Sequence, residues 1–177
     1  MKAVLMSIQP KWCELIASGK KTVEVRKTKP KLETPFKVYI YETQGRTETP
    51  FVDEEGHHIF KGRGQVIGEF VCYMIGKTSW IKSPDQPWWV DGYDEESCLT
   101  NRELYEYSKG DIFYEWHITD LVIYDEPMEL GEFLIYCENC RKKFVGFPNC
   151  WKGCFVRGTE KPPRPPQSWC YCEEVTE

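Results

Sequence analysis

Residues 7–26 constrain the fold of this chain more than any other stretch, because they read as a short helix turned abruptly into a charged strand. Pro10 suits the first helical turn, where its missing N–H costs nothing. Trp12, Leu15 and Ile16 fall at i, i+3 and i+4, which predicts one apolar helix face. Gly19 stands where a left-handed C-terminal cap is expected. Thr22-Val23-Glu24-Val25-Arg26 then alternates. In a strand, Val23 and Val25 share one face and Thr22, Glu24 and Arg26 the other. Lys20, Lys21, Glu24 and Arg26 therefore gather at one junction. A strand Lys–Glu pair is most often a solvated ion pair of little worth, so this concentration of charge has a bland reading beside the functional one.

The 177 residues fit one domain, or one domain with a small appendage. A chain of this length can bury roughly two-thirds of its unfolded surface. With 41% hydrophobic residues and seven Trp, the composition is not that of a disordered polypeptide. A net charge of −5 argues against nonspecific coating of duplex DNA, which needs many cations. Local basic sites remain possible, since most Lys and Arg lie in residues 20–37 and 141–164. The first residues do not form a secretory signal, and no apolar run is long enough to span a bilayer. The expected location is cytoplasmic. In that reducing compartment nine cysteines predict packed thiols or a metal site rather than disulfides.

Periodicity predicts strands at residues 2–8, 36–41, 65–75, 112–124 (one strand or a bent pair) and 167–172. Residues 44–64, with Gly45, Gly56, Gly62 and Gly64, read as a long hairpin or surface loop. Residues 77–92 read as a Trp-rich loop. Residues 100–109 read as a helix capped by Thr100, with Glu103 at the capping-box position. Residues 129–133 suggest a helical turn. Short strands with two short helices suit a small curved barrel, although periodicity does not separate that from other α+β sheets.

Gly19-Lys20-Lys21-Thr22-Val23-Glu24-Val25-Arg26 resembles the G-x-K-x-x-E-x-R signature of the ASCH family, a branch of the PUA-like β-barrels. Residues 64–70 and 118–124 resemble the family's central and late strands. The segment Pro165-Pro166-Gln167-Ser168-Trp169-Cys170-Tyr171 resembles the end of ASCH proteins often carried by phages and prophages. The resemblance implies an α+β fold: a small PUA-like β-barrel, mixed or antiparallel, of about five to seven strands with two or more short helices. Residues 1–136 and 165–177 would form the barrel. Residues 137–164 would be a Cys-rich insert and Pro-rich connector.

The resemblance also implies a polar cleft sized for a nucleobase or a short RNA segment. Lys21 and Arg26 could meet phosphate there, Glu24 could accept from an exocyclic amine, and an aromatic could stack on a base. Ser7, Gln9, Lys11, Trp12, Lys20 and Tyr73 are further candidates, with Trp80, Trp88 and Trp89 as other stacking residues. Trp12 on a helix face is more often core, and Ser7 or Gln9 could merely cap the helix. One branch of the family resembles an amidohydrolase of N4-acylated cytidine that uses a Lys, a Thr and a Glu. Its Lys corresponds to Lys21, but its Thr position is Glu24 here, so a hydroxyl nucleophile is missing at that place. Enzyme chemistry would have to be recast with Lys21 as nucleophile or proton donor and Glu24 or Glu69 as base. Glu69 alternates with apolar neighbours in its strand and calls for a cation, with Lys21 or Arg26 as the natural partner. His117 reads as structural. Three classes stay open: RNA or nucleoside binding, a nucleic-acid-processing enzyme (amidohydrolase-like or ribonuclease), and a protein-interaction module.

Cys137-x2-Cys140-x9-Cys150-x3-Cys154 contains two close pairs, each able to give two thiolates to a tetrahedral ion. The spacing predicts structural zinc, with separate buried thiols or a redox-labile pair as the alternatives. Cys170 or Cys172 could replace a weak ligand. Cys13, Cys72 and Cys98 read as packed thiols.

Overall fold

A computed structural model of the chain describes residues 1–45, 51–52, 58–59, 62–79, 93–136, 143–145 and 165–175. Its elements are β1 (Lys2–Ile8), α1 (Pro10–Ala17), β2 (Val23–Arg26), β3 (Phe36–Glu42), β4 (Phe51–Val52), β5 (His58–Ile59), β6 (Val66–Thr78), β7 (Tyr93–Asp94) and β8 (Leu99–Thr100). They continue with α2 (Asn101–Ser108), β9 (Phe113–Met128), a 3-10 turn at Leu130–Glu132, β10 (Leu134–Tyr136), β11 (Lys143–Val145) and β12 (Trp169–Glu173). Six strands in the order β12-β1-β3-β6-β9-β2 make the body of a mixed sheet, and β10 and β11 extend it beyond β12. The expected α+β class holds. The strand order is open, with no pairing of β11 to β2 among the described residues.

The chain divides into two compact units. The first comprises Met1–Cys13, Lys37–Phe70 and Val122–Glu177. Here β1 lies between β12, antiparallel with Val4 opposite Tyr171, and β3, parallel with Val4 opposite Val38. Ala3 through Met6 have no exposed surface, as a near-continuous apolar run on a strand covered on both faces requires. Ala3, Leu5, Tyr39, Tyr41, Val66, Leu130, Phe133 and Cys172 form the core of this unit. β6 passes so close to β9 that a Cβ on Gly68 would lie 2.3 Å from the Val122 carbonyl oxygen. The loop expected at 44–64 contains an antiparallel β4–β5 pair, with Phe51 opposite Ile59.

The second unit comprises Glu14–Phe36 and Val71–Leu121. β2 runs antiparallel to β9, with Glu24 opposite Trp116 and Arg26 opposite Tyr114. Alternation sends Val23 and Val25 to the other face, where they pack with Leu104 of α2, Phe113 and Leu99. The capping box expected for α2 is present. Thr100 Oγ1 accepts from the Glu103 N–H at 3.1 Å, and the Glu103 carboxylate accepts from the Thr100 N–H at 2.8 Å. β9 runs four residues beyond the expected end. It is one continuous strand rather than a pair, and it holds Asp120 at φ 47°, a left-handed conformation that Asp tolerates better than most residues.

Parallel β1 and β3 cannot be joined by a hairpin, so the chain between them needs a crossover. That crossover, residues 9–35, carries α1 and β2 and hence the charged junction.

Candidate functional site

The junction closes as its glycine predicts. Gly19 adopts φ 72°, and its N–H donates to the Ile16 carbonyl at 2.9 Å. The Lys21 N–H then donates back to the Leu15 carbonyl at 2.9 Å, folding the chain against the end of α1. This delivers Lys21 to the start of β2. Lys21 Nζ lies 3.4 Å from Glu24 Oε2, and Arg26 Nη2 lies 3.0 Å from Glu24 Oε1. Lys21, Glu24 and Arg26 are 2%, 6% and 7% exposed. The solvated ion-pair reading is thereby excluded. Each ion costs several kcal/mol to desolvate, and only close counter-charges and hydrogen bonds recover that. The fully buried Trp116, edge-on to Phe36 at 5.7 Å, shares the face of Glu24.

A turn that the sequence reading did not single out holds this cluster. Lys21 Nζ donates to the Ser97 carbonyl at 2.6 Å. The Glu96 carbonyl accepts from the N–H groups of Thr22 and Val23, both at 2.9 Å. The turn is itself closed by Asp94 Oδ2, which accepts from the Ser97 N–H at 3.0 Å. Ser97 is wholly buried, and its Oγ has no hydrogen-bond partner among the described residues. Asp three residues before Ser97 is a turn signal that could have been read, but nothing in the sequence ties it to Lys21.

The other candidates separate. Ser7 is buried, and its Oγ donates to the Pro166 carbonyl at 2.6 Å, a structural role in the first unit. The Gln9 carbonyl accepts from the Trp12 and Cys13 N–H groups, so its backbone serves the start of α1. Lys11 is exposed, with Nζ 4.3 Å from the centroid of the half-buried Trp12 ring. Lys20 is exposed, and its carbonyl accepts from Cys98 Sγ at 3.4 Å. Tyr73 is 50% exposed and lies against His117 at 5.7 Å. His117 stands opposite Val23, so alternation puts this ring pair on the face away from Glu24. Glu69 corrects an expectation. Its partners are Lys37, at 2.7 Å, and Tyr124, whose hydroxyl donates at 2.6 Å, rather than Lys21 or Arg26. A cation on the adjacent strand β3 reaches Glu69 first, while Lys21 and Arg26 are engaged by Glu24.

Two tyrosines border the triad and were not anticipated. Tyr114 of β9 stands opposite Arg26, and Lys29 Nζ lies 5.8 Å from its ring centroid. Tyr107 of α2 is 38% exposed, with Lys27 Nζ 4.9 Å from its ring centroid. Burial raises the Tyr107 pKa above its usual value, with Arg26 opposing the shift and Glu24 reinforcing it, so the field of the triad reaches this phenol. The period of α2 offered a signal only in retrospect, because the sequence does not say which side chains feel the charge of Arg26.

Trp80, Trp88, Trp89 and the proposed zinc ligands Cys137, Cys140, Cys150 and Cys154 lie outside the described residues. Among the described residues, no group of three or more His, Cys, Asp or Glu is placed to hold a metal ion. No described helix is long and apolar enough to cross a membrane.

The mixed sheet, the crossover helix and the buried Lys-Glu-Arg triad at the helix–strand junction define an α+β domain of PUA-like type. The ASCH domain family model matches residues 6–162, and the chain belongs to the ASCH domain family. Among solved structures it is similar to ASCH from Zymomonas mobilis. The two are 20% identical over 97% of this chain and 88% of the other, with a TM-score of 0.54. A serine-to-alanine mutant of the same protein matches at 20% identity over 97% and 89%, with a TM-score of 0.54. At such identity the likeness concerns the fold. No curated protein matches this chain.

Proposed function

We propose that this protein binds RNA or a modified nucleoside at the Lys21–Glu24–Arg26 triad. The carrying observation is that two buried cations converge on one buried carboxylate, one on each oxygen. A carboxylate has about four lone-pair sites, so Glu24, oriented by its cations, retains capacity to accept from an exocyclic base amine. Concentrated positive charge at the same place favours a phosphate or a base carbonyl. Membership of the ASCH family supports nucleic-acid binding in general terms.

The test compares the wild type with Lys21→Met, a variant that keeps most of the buried side-chain volume. Each protein is incubated with short single-stranded RNAs and with N4-acetylcytidine, and bound fraction and products are scored together. Binding by the wild type that is lost in a variant still folded by circular dichroism supports the reading. No binding of either ligand by the wild type overturns it and favours a protein-interaction role. Product release would instead give the Lys21–Glu24 pair an acid–base role and move the protein to the enzyme class.

We further propose a structural zinc on Cys137, Cys140, Cys150 and Cys154, supported by their spacing alone. A closed four-sulfur site leaves no open position for water, so the ion would serve folding rather than chemistry. Elemental analysis of purified protein before and after chelation is the check. Absence of zinc from protein prepared in zinc-containing medium would sink it.

A further inference from the structure

The stretch that leaves β2 places two lysines on two tyrosines of different elements. Lys27 lies over Tyr107 of α2, and Lys29 lies over Tyr114 of β9. Both lysines are exposed, and Tyr107 is partly so. We propose that Lys27, Lys29, Tyr107 and Tyr114 form a docking track for a single-stranded polynucleotide, continuous with the triad. This rests on the triad reading above and names the form of ligand that it takes.

Three observations carry the track. It begins where the triad ends, since Arg26 immediately precedes Lys27 and stands opposite Tyr114. Its charge runs against that of the whole molecule: Arg26, Lys27, Lys29 and Lys31 follow within six residues in a chain of net charge −5. Glu106, next to Tyr107 in α2, is paired with Arg102 at 3.0 Å, which partly offsets its charge toward an incoming phosphate. Each lysine–tyrosine pair combines what a single strand requires. The ring offers a face for an unpaired base, and the ammonium above it can swing to the adjoining phosphate. A duplex hides its base faces, so rings of this kind gain nothing from it. The shared chemistry of RNA and single-stranded DNA is what the track fits, and the two are separated by experiment.

The experiment measures anisotropy of labelled oligouridylate and oligothymidylate on the full chain over a range of salt concentrations. The proteins are the wild type, the double variant Lys27→Ala/Lys29→Ala, Tyr107→Leu and Tyr114→Leu. Removing two phosphate contacts should flatten the slope of log K against log salt by about 1.4, at about 0.7 per contact. Each tyrosine variant should weaken binding by about fivefold or more while the slope stays unchanged. Tighter binding of oligouridylate would identify RNA as the source of the strand, and equal binding would leave the track blind to the sugar. The exposed lysines keep the test decisive should a tyrosine variant unfold. If the wild type binds strands and the double variant matches it in affinity and slope, the track is overturned while the triad reading stands. If the wild type binds a nucleoside but no strand, the outcome is the same. If it binds neither, both fall.

Discussion

The Lys21 ammonium donates to the Ser97 main-chain carbonyl at 2.6 Å, across 76 residues of sequence. A buried cation just before β2 is thus held by the backbone of a distant turn, as well as by the carboxylate three residues along. Because the second partner is a main-chain carbonyl, no side-chain substitution at position 97 removes it directly. The position of the turn decides whether the triad assembles.

Glu24→Gln should be the most costly single change in the triad. It leaves the Lys21 and Arg26 charges buried beside a neutral amide, and breaking a buried pair in this way costs about 3 kcal/mol or more. Lys21→Met should cost less, because the Glu24–Arg26 contact survives. Urea denaturation of both variants checks the order. A Glu24→Gln protein as stable as the wild type would show that the triad is solvated.

Gly68→Ala should destabilise the first unit severely. The new methyl would lie 2.3 Å from the Val122 carbonyl oxygen and 3.1 Å from Ile123 Cα, both backbone atoms with no flexible end to give way. A loss of about 3 kcal/mol is expected from such overpacking. Thermal denaturation with an unchanged midpoint would contradict the close β6–β9 approach.

The Lys37–Glu69–Tyr124 cluster predicts an alkaline effect. The hydrogen bond to Glu69 raises the Lys37 pKa against the opposing effect of burial, and burial followed by the bond to Glu69 raises that of Tyr124. Both folded values lie above the usual ones, 10.5 and 10.0, so the stabilisation is complete below about pH 10 and is lost as pH rises further. Tyr124→Phe should therefore be less stable than the wild type by about 1 kcal/mol at pH 7, with the gap closing above pH 10. Urea midpoints of the two proteins between pH 7 and 11 read this directly. A gap that widens with pH would refute it.

Burial raises the thiols of Cys72 and Cys170 to about 12, and burial likewise raises Cys172 from its usual value. Since the thiolate is the reactive form, these three should label slowly with iodoacetamide at pH 8 in the native protein. The half-buried Cys98 should label ahead of them. Peptide mass spectrometry over a time course gives the order, and early labelling of Cys72 would show that its strand opens readily.

Much of the local architecture was legible without coordinates. Pro10, the spacing of Trp12, Leu15 and Ile16, and Gly19 specify a capped helix, because helix ends are decided by neighbours in sequence. The same holds for the Thr100–Glu103 capping box and for the alternation of residues 22–26. Alternation alone placed Glu24 and Arg26 on one face. It left open whether that face meets water or protein, because burial depends on what the rest of the chain brings over the strand.

Partnership was the part that only tertiary structure decided. Glu69 was paired in expectation with Lys21 or Arg26, yet a strand neighbour in the sheet, Lys37, reaches it first. Tyr107 and Tyr114 stand beside the triad, and Ser97 holds Lys21, although no periodicity links those positions to residue 26 or 21. Local sequence sets backbone conformation and the faces of each element, since those follow from interactions a few residues long. Which charge meets which depends on contacts between strands and turns far apart in the chain, and these exist only once the sheet order and register are formed.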